Sequence, residues 1–161
     1  MGYVILEQRV IIVAQKGAEN ELIKVLKTPS YVEDDPVRPS LSYSFRKHVG
    51  EIFYIGEDKP DAIVCCAYNY EVPEKVQDLV FYSYPRGRIC VAYTVWSYTP
   101  GAGRDLIFEL RDWAIENDFI RLVTLSPKTA MAKKFHLRNG AFLLRENEET
   151  DNYEYKLDAD D

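Results

Sequence analysis

Apolar and polar positions alternate between two periods along this chain. Residues 3–13 are dense in Val and Ile and predict a strand. In "GAENELIKVLK" (17–27), Leu22, Ile23 and Leu26 fall at helical spacing after Gly17, which predicts a helix. "TPSYVEDDPVRPS" (28–40) holds three prolines and three acids and predicts a loop, long enough to line a site. Residues 51–73 form a hairpin pattern, two β-rich runs around the turn cluster Gly56 to Asp61. Residues 74–87 carry no clear period. "GRICVAYTVW" (87–96) is continuously apolar and β-branched, the pattern of a strand covered on both faces. Over 103–117, Leu106, Ile107, Leu110, Trp113 and Ala114 make one helical stripe.

"FIRLVTL" (119–125) predicts another strand. "SPKTAMAKKFHLRNG" (126–140) is punctuated as a helix, with Ser126 as cap, Pro127 at the first helical position and Gly140 as stop. "AFLLRE" and "NYEYKL" close the chain as two antiparallel strands. The last four residues, Asp158 to Asp161, form an acidic tail expected to fray. The strands at 88–96 and 119–125 are joined by a helix, so they should pair in parallel through a right-handed crossover.

The 161 residues fit one domain (1–161), and 47% hydrophobic content supports a real core. A formal net charge of −6 argues against nucleic acid as partner, which needs a basic face. The three cysteines suggest no disulfide framework, because Cys65 and Cys66 are strand neighbours that point to opposite faces. Mid-strand Cys90 is expected to be an inert buried thiol. Only two histidines exist, and no spacing resembles a metal knuckle. The N-terminal apolar runs are interrupted by Glu7, Gln8 and Arg9, without signal-peptide form and too short to span a bilayer. A cytoplasmic protein with no membrane partner is the expectation.

The chemistry concentrates in "YTPGAG" (98–103), followed by "RDL". A helix N-terminus offers unpaired N–H groups and the positive end of the peptide dipoles. Glycines let a phosphate approach those donors without a Cβ in the way, and Arg104 could add a charge-assisted bond. The pair Gly101 and Gly103 equally fits a plain strand–helix turn. No Gly-Lys-Ser/Thr follows, and Leu106 stands where a dinucleotide fingerprint needs its third glycine.

From Arg88 to Ala141 the order of elements and motifs resembles the GNAT superfamily of acyl-CoA-dependent N-acyltransferases. "YTPGAG" is similar to that family's Gln/Arg-x-x-Gly-x-Gly/Ala pyrophosphate loop. "SPKTAMAKKFHLRNGA" is similar to its Asn-x-x-Ala-x-x-x-Tyr-x-x-x-Gly signature. The resemblance covers about a third of the chain. It implies an α/β fold: a mixed, mostly antiparallel sheet, a central splayed parallel pair, and helices on both faces. It implies acetyl-CoA as co-substrate, held by Val95, Trp96, Tyr98, Thr99, Pro100, Gly101, Ala102, Gly103, Arg104 and Thr129. The pantetheine arm would lie between the splayed strands. The acceptor would be an amine on a small molecule or peptide, and a homodimer is left open.

Three positions depart from the family pattern: Tyr98 replaces Gln/Arg, Thr129 replaces Asn, and His136 replaces the Tyr general acid. Thr129, Ala132 and His136 fall at i, i+3 and i+7 on one helix face, so His136 is the catalytic candidate, against a histidine merely packed beside Phe135. No general base stands on the central strand; Glu71, at the end of the hairpin, is the nearest carboxylate by topology. The acids of "YVEDDP" (31–36) could draw an amine by their field or be ordinary solvated loop. Lys128, Lys133, Lys134 and Arg138 form a basic helix face, and Tyr93 and Trp96 are expected in the core. The missing base and the replaced Tyr also suit a different class of function: a catalytically silent relative that binds CoA or another protein.

Overall fold

The computed structural model describes residues 22–158. The expected strand at 3–13 and the first part of the expected helix at 17–27 lie outside them. The described elements, in order, are β1 (Lys24–Val25), a 3-10 turn (Pro29–Asp34), α1 (Tyr43–Val49), β2 (Gly50–Ile55), β3 (Ala62–Asn69) and α2 (Val76–Phe81). Then come β4 (Ile89–Ser97), α3 (Ala102–Glu116), β5 (Arg121–Thr124), β6 (Ser126–Pro127), α4 (Ala130–Arg138), β7 (Phe142–Glu146) and β8 (Thr150–Tyr155).

The strands form one sheet in the order β1-β2-β3-β4-β5-β8-β6, with β7 on β8. Among the described residues every pairing is antiparallel except β4 with β5, which runs parallel from Ile89↔Arg121 to Ala92↔Thr124. The expected mixed sheet, hairpin, parallel pair and closing antiparallel strands are therefore present.

The alternation of β3 and β4 splits the core across the sheet. On one side, Leu106, Ile107 and Leu110 of α3 pack on Val64, Cys66, Cys90 and Ala92. On the other, Val49 of α1 and Leu79 of α2 pack over Ile63, Cys65, Val91 and Tyr93. Cys65 and Cys66 do face opposite sides, and all three cysteines are buried and free. Each fully buried Leu or Ile of α3 contributes about 1.5–3 kcal/mol, which fixes the helix start relative to β4.

Two expectations fail for local reasons. Residues 24–25 are strand, not helix: Lys24 and Val25 pair with Tyr54 and Phe53, and Leu26 N–H donates to Ile52 O at 2.8 Å. The apolar triplet that suggested a helix instead sends Ile23 and Leu26 inward while Leu22 stays exposed. Nor does Ser126 cap a helix. It is buried, its hydroxyl 2.8 Å from that of Thr124, and it pairs with Asp151 in β6. Thr129 is the cap, its Oγ1 accepting from Ala132 N–H at 3.1 Å, so α4 starts at Ala130. The stop is where expected, with Gly140 at φ +101°. Two short helices lay where no element was expected, α1 capped by Ser42 and α2 in the stretch without a period.

No described helix is long and apolar enough to cross a membrane.

Candidate functional site

The site begins at an irregularity. β3 pairs Cys66 with Ala92 and Cys65 with Thr94, so Tyr93 bulges out of register. The β4–β5 ladder ends at Ala92↔Thr124, with one further bond from Leu125 N–H to Ala92 O at 3.1 Å. β4 continues to Ser97 paired with β3 but no longer with β5, and the chain after β5 turns away into β6 and α4. Between the diverging arms lies a cavity of about 340 Å³. Its walls are β4 from Ala92 to Ser97, Gly103 of α3, and Thr129, Met131, Ala132, Phe135 and His136 from α4. Pro36 and Val37 close it from the acid-rich loop. The lining is mainly apolar, and among the described residues no Asp or Glu is part of it.

Of the turn into α3, Gly103 lines the cavity, and Tyr98, Thr99, Pro100, Gly101, Ala102 and Arg104 are not part of its lining. Gly101 adopts φ +83°, the left-handed region that glycine enters without cost, and a Cβ there would meet open space. At Gly103 a Cβ would meet the Phe135 ring at 3.4 Å, an ordinary contact distance. Asp105 is the first residue whose N–H closes onto the helix turn, at Gly101 O. Among the described residues, the N–H groups of Thr99, Gly101, Gly103 and Arg104 have no intramolecular acceptor. Two of the expected donors are spent. Tyr98 N–H donates to Asp61 O at 2.8 Å and Ala102 N–H to Thr99 O at 3.1 Å. Pro100 has none. The Tyr98 side chain turns the other way, accepting from Trp96 Nε1 at 3.0 Å and donating to Asp34 at 2.7 Å.

Thr129, Ala132 and His136 share the cleft-facing side of α4. His136 is 7% exposed, its Nδ1 2.7 Å from Tyr155 Oη and its ring stacked on Tyr153 at 5.3 Å. Burial pushes its pKa down to about 4, so the imidazole is neutral at pH 7. Burial also pushes the Tyr155 phenol up. Of the four basic residues expected on this helix, Lys128 precedes it and pairs with Asp151, while Lys133, Lys134 and Arg138 are exposed.

Glu71 is not in the site. β3 runs antiparallel to β4, with Asn69 opposite Ile89, so Glu71 lies at the start of β4, away from the splay. The loop acids are more than solvated charge. Asp35 is 2% exposed and accepts from Val37 N–H, Arg38 N–H and Thr94 Oγ1 on one oxygen and from Arg46 Nη1 on the other. Arg46, fully buried on α1, also donates to the carbonyls of Leu41 and Arg38. Sequence reasoning missed Asp35, Arg38 and Arg46. The faint signal was Pro36 and Pro39, which bracket Arg38 and stiffen the loop.

No family model matches the sequence, and no curated protein does. Solved structures do match in fold. A putative acetyltransferase of the GNAT family from Desulfovibrio desulfuricans superposes with TM-score 0.56 at 12% identity, over 84% of this chain and 98% of that one. A GNAT family acetyltransferase from Elizabethkingia anophelis with acetyl-CoA bound gives 0.56 at 8% identity, over 85% and 99%. Malonyl-CoA decarboxylase from Cupriavidus metallidurans gives 0.57 at 14% identity, over 85% of this chain but 61% of that one. The chain has the GNAT acetyltransferase fold.

Proposed function

We propose that this protein is an acyl-CoA-dependent N-acyltransferase that moves an acetyl group from acetyl-CoA to an amine. The observation that carries the reading is the coincidence of three features at one place. β4 outruns β5, an apolar cavity fills the gap, and the turn that follows β4 carries four unpaired amides, of which Gly103 lies in the cavity wall. The fold shared with an acetyl-CoA-bound structure supports it.

In this reading the N–H groups of Thr99, Gly101, Gly103 and Arg104 hold the diphosphate, with the Arg104 side chain adding charge. Val95 and Trp96 of β4, with Thr129 across the gap, flank the pantetheine arm. The thioester supplies the activated acyl group. Attack forms the N–C bond and breaks C–S; the amine loses one proton and the departing thiolate gains one. His136, which lines the cavity, is the hydrogen-bonding partner of the departing sulfur in this reading. With the Tyr155 phenol as donor to Nδ1, 2.7 Å away, the ring hydrogen is on Nε2. Because the ring is neutral at pH 7, it acts as a hydrogen-bond donor to the departing sulfur and not as an imidazolium acid, and the proton that the thiolate gains is the one the amine loses. Glu33 and exposed Asp34, beside the cleft-lining Pro36 and Val37, provide a negative field for a cationic acceptor.

A second reading has its own support. Among the described residues the cavity lining holds no carboxylate to act as base, which suits a silent CoA-binding module. Calorimetric titration with acetyl-CoA, followed by thiol-release assays over an amine panel, separates the two. Saturable binding that Gly103→Glu abolishes, with thiol release, supports the enzyme. Binding without release from any amine supports the silent module, and no binding removes both.

A further inference from the structure

The vertex of the splay is occupied by a side chain from neither the glycine turn nor α4. Leu125 gives its N–H to Ala92 O, and a continuing parallel ladder would return the next bond from β4 to Leu125 O. Instead, Leu125 O accepts Arg38 Nη2 at 2.9 Å, while Tyr93 O, on the other arm, accepts Arg38 Nε at 3.0 Å. One rigid planar fork thus satisfies a carbonyl on each arm, at the bulge where the ladder ends. The fork is itself fixed. Arg38 N–H donates to Asp35 Oδ1 at 3.0 Å, and Arg38 O accepts Arg46 Nη2 at 2.8 Å. Asp35 is tied to β4 through Thr94 and to α1 through Arg46.

We propose that Arg38 is a positioning residue that sets the width of the β4–β5 gap, ending the ladder after Ala92 and holding the cleft open for an acyl-CoA arm. What fills the gap rests on the acyltransferase reading; the spacer itself does not. Without the guanidinium, the carbonyls of Tyr93 and Leu125 lose their shared donor. The arms then gain by closing on each other or by admitting water, and either change degrades a cleft preformed for a ligand. A lysine cannot substitute, because a point charge on a flexible stem does not present two parallel donors.

The test is chemical rescue of Arg38→Ala, with Arg38→Gln in its place if the alanine variant does not fold. Acetyl-CoA affinity is measured by calorimetry, and backbone amide exchange around Leu125 is followed without ligand. The expected result is a roughly tenfold loss of affinity, the equivalent of one unsatisfied buried group. Guanidinium, far below denaturing concentration, restores it, and methylammonium does not. In turnover, the KM for acetyl-CoA rises while kcat at saturation changes little, and Arg38→Lys behaves like the alanine variant. Wild-type affinity in Arg38→Ala overturns the proposal, as does a loss that both cations or neither repair. If the wild-type protein binds no acetyl-CoA, the acyltransferase reading fails and the exchange arm decides. Altered exchange at Leu125 in the variant, faster where water enters or slower where the arms close, and returned to the wild-type rate by guanidinium, supports the spacer, and unchanged exchange overturns it.

Discussion

Replacing Asp35 with alanine tests the loop's anchoring, because the carboxylate lies at the centre of four donors. Its partner Arg46 is fully buried, with a side-chain exposure of 0% on both sides of the 2.7 Å contact. Two of the other donors are backbone amides, Val37 and Arg38, and the third is the Thr94 hydroxyl on β4. Removing one member of a buried ion pair strands the other charge, at a cost of about 3–5 kcal/mol. Most of a small domain's margin is then gone, since folded domains hold only about 5–15 kcal/mol in all. Urea unfolding followed by tryptophan fluorescence reads the loss directly, as a fall in midpoint at unchanged slope. Arg46→Met alone removes a charge and leaves Asp35 with its three other donors, so it is the milder single change. In the double variant both charges are gone, and the two losses combine to less than their sum. A single Asp35→Ala loss below about 1 kcal/mol, the range of an exposed pair, would show that the pair is solvent-screened and that the loop is not fixed in this way.

Other consequences follow from burial. The folded-state pKa of His136 is about 4, below the unfolded value of about 6.5. The unfolded chain therefore binds more protons between those values, and stability falls as pH drops through that window, by about 3 kcal/mol in total from this group. His136→Phe should flatten that part of a stability–pH profile measured by denaturant unfolding; an unchanged slope refutes the neutral, buried imidazole. For the same reason, transfer by the wild-type protein should show no decline in rate centred near pH 6.5, and such a decline would mean that an imidazolium acts as the acid. Burial raises the Cys65 thiol to about 12 and pushes Cys66 well up, so neither should react with an aromatic disulfide reagent at pH 8 until the protein is unfolded. Fast stoichiometric labelling of the native protein would contradict this.

Elements whose pattern depends on their own burial were legible. β4 is apolar at nearly every position because both faces are covered, and the α3 stripe matches the residues buried against β3 and β4. Where a short apolar group fits two periods, tertiary pairing decided: Ile23 and Leu26 face the core from an extended chain. The Thr129–Ala132–His136 face was marked out by the family resemblance and its helical spacing, and all three line the cleft. The count of free amides was not legible. Asp61 takes Tyr98's N–H from the far side of the hairpin turn, and no local rule announces that. The misplacement of Glu71 arose from strand direction: "end of the hairpin" names the correct strand but the wrong end of the sheet. The Asp35–Arg46–Arg38 chain joins loop, helix and two strands over long sequence separations, and its residues look like ordinary surface charges until the fold buries them.

The central claim is that the unpaired amides at the start of α3 and the open arm of β4 bind an acyl-CoA. Backbone ¹⁵N–¹H spectra recorded during titration with acetyl-CoA test it most directly. The account predicts saturable shifts at Thr99, Gly101, Gly103 and Arg104 together with Val95 and Trp96. Shifts confined to another surface, or none under saturating cofactor, would contradict it.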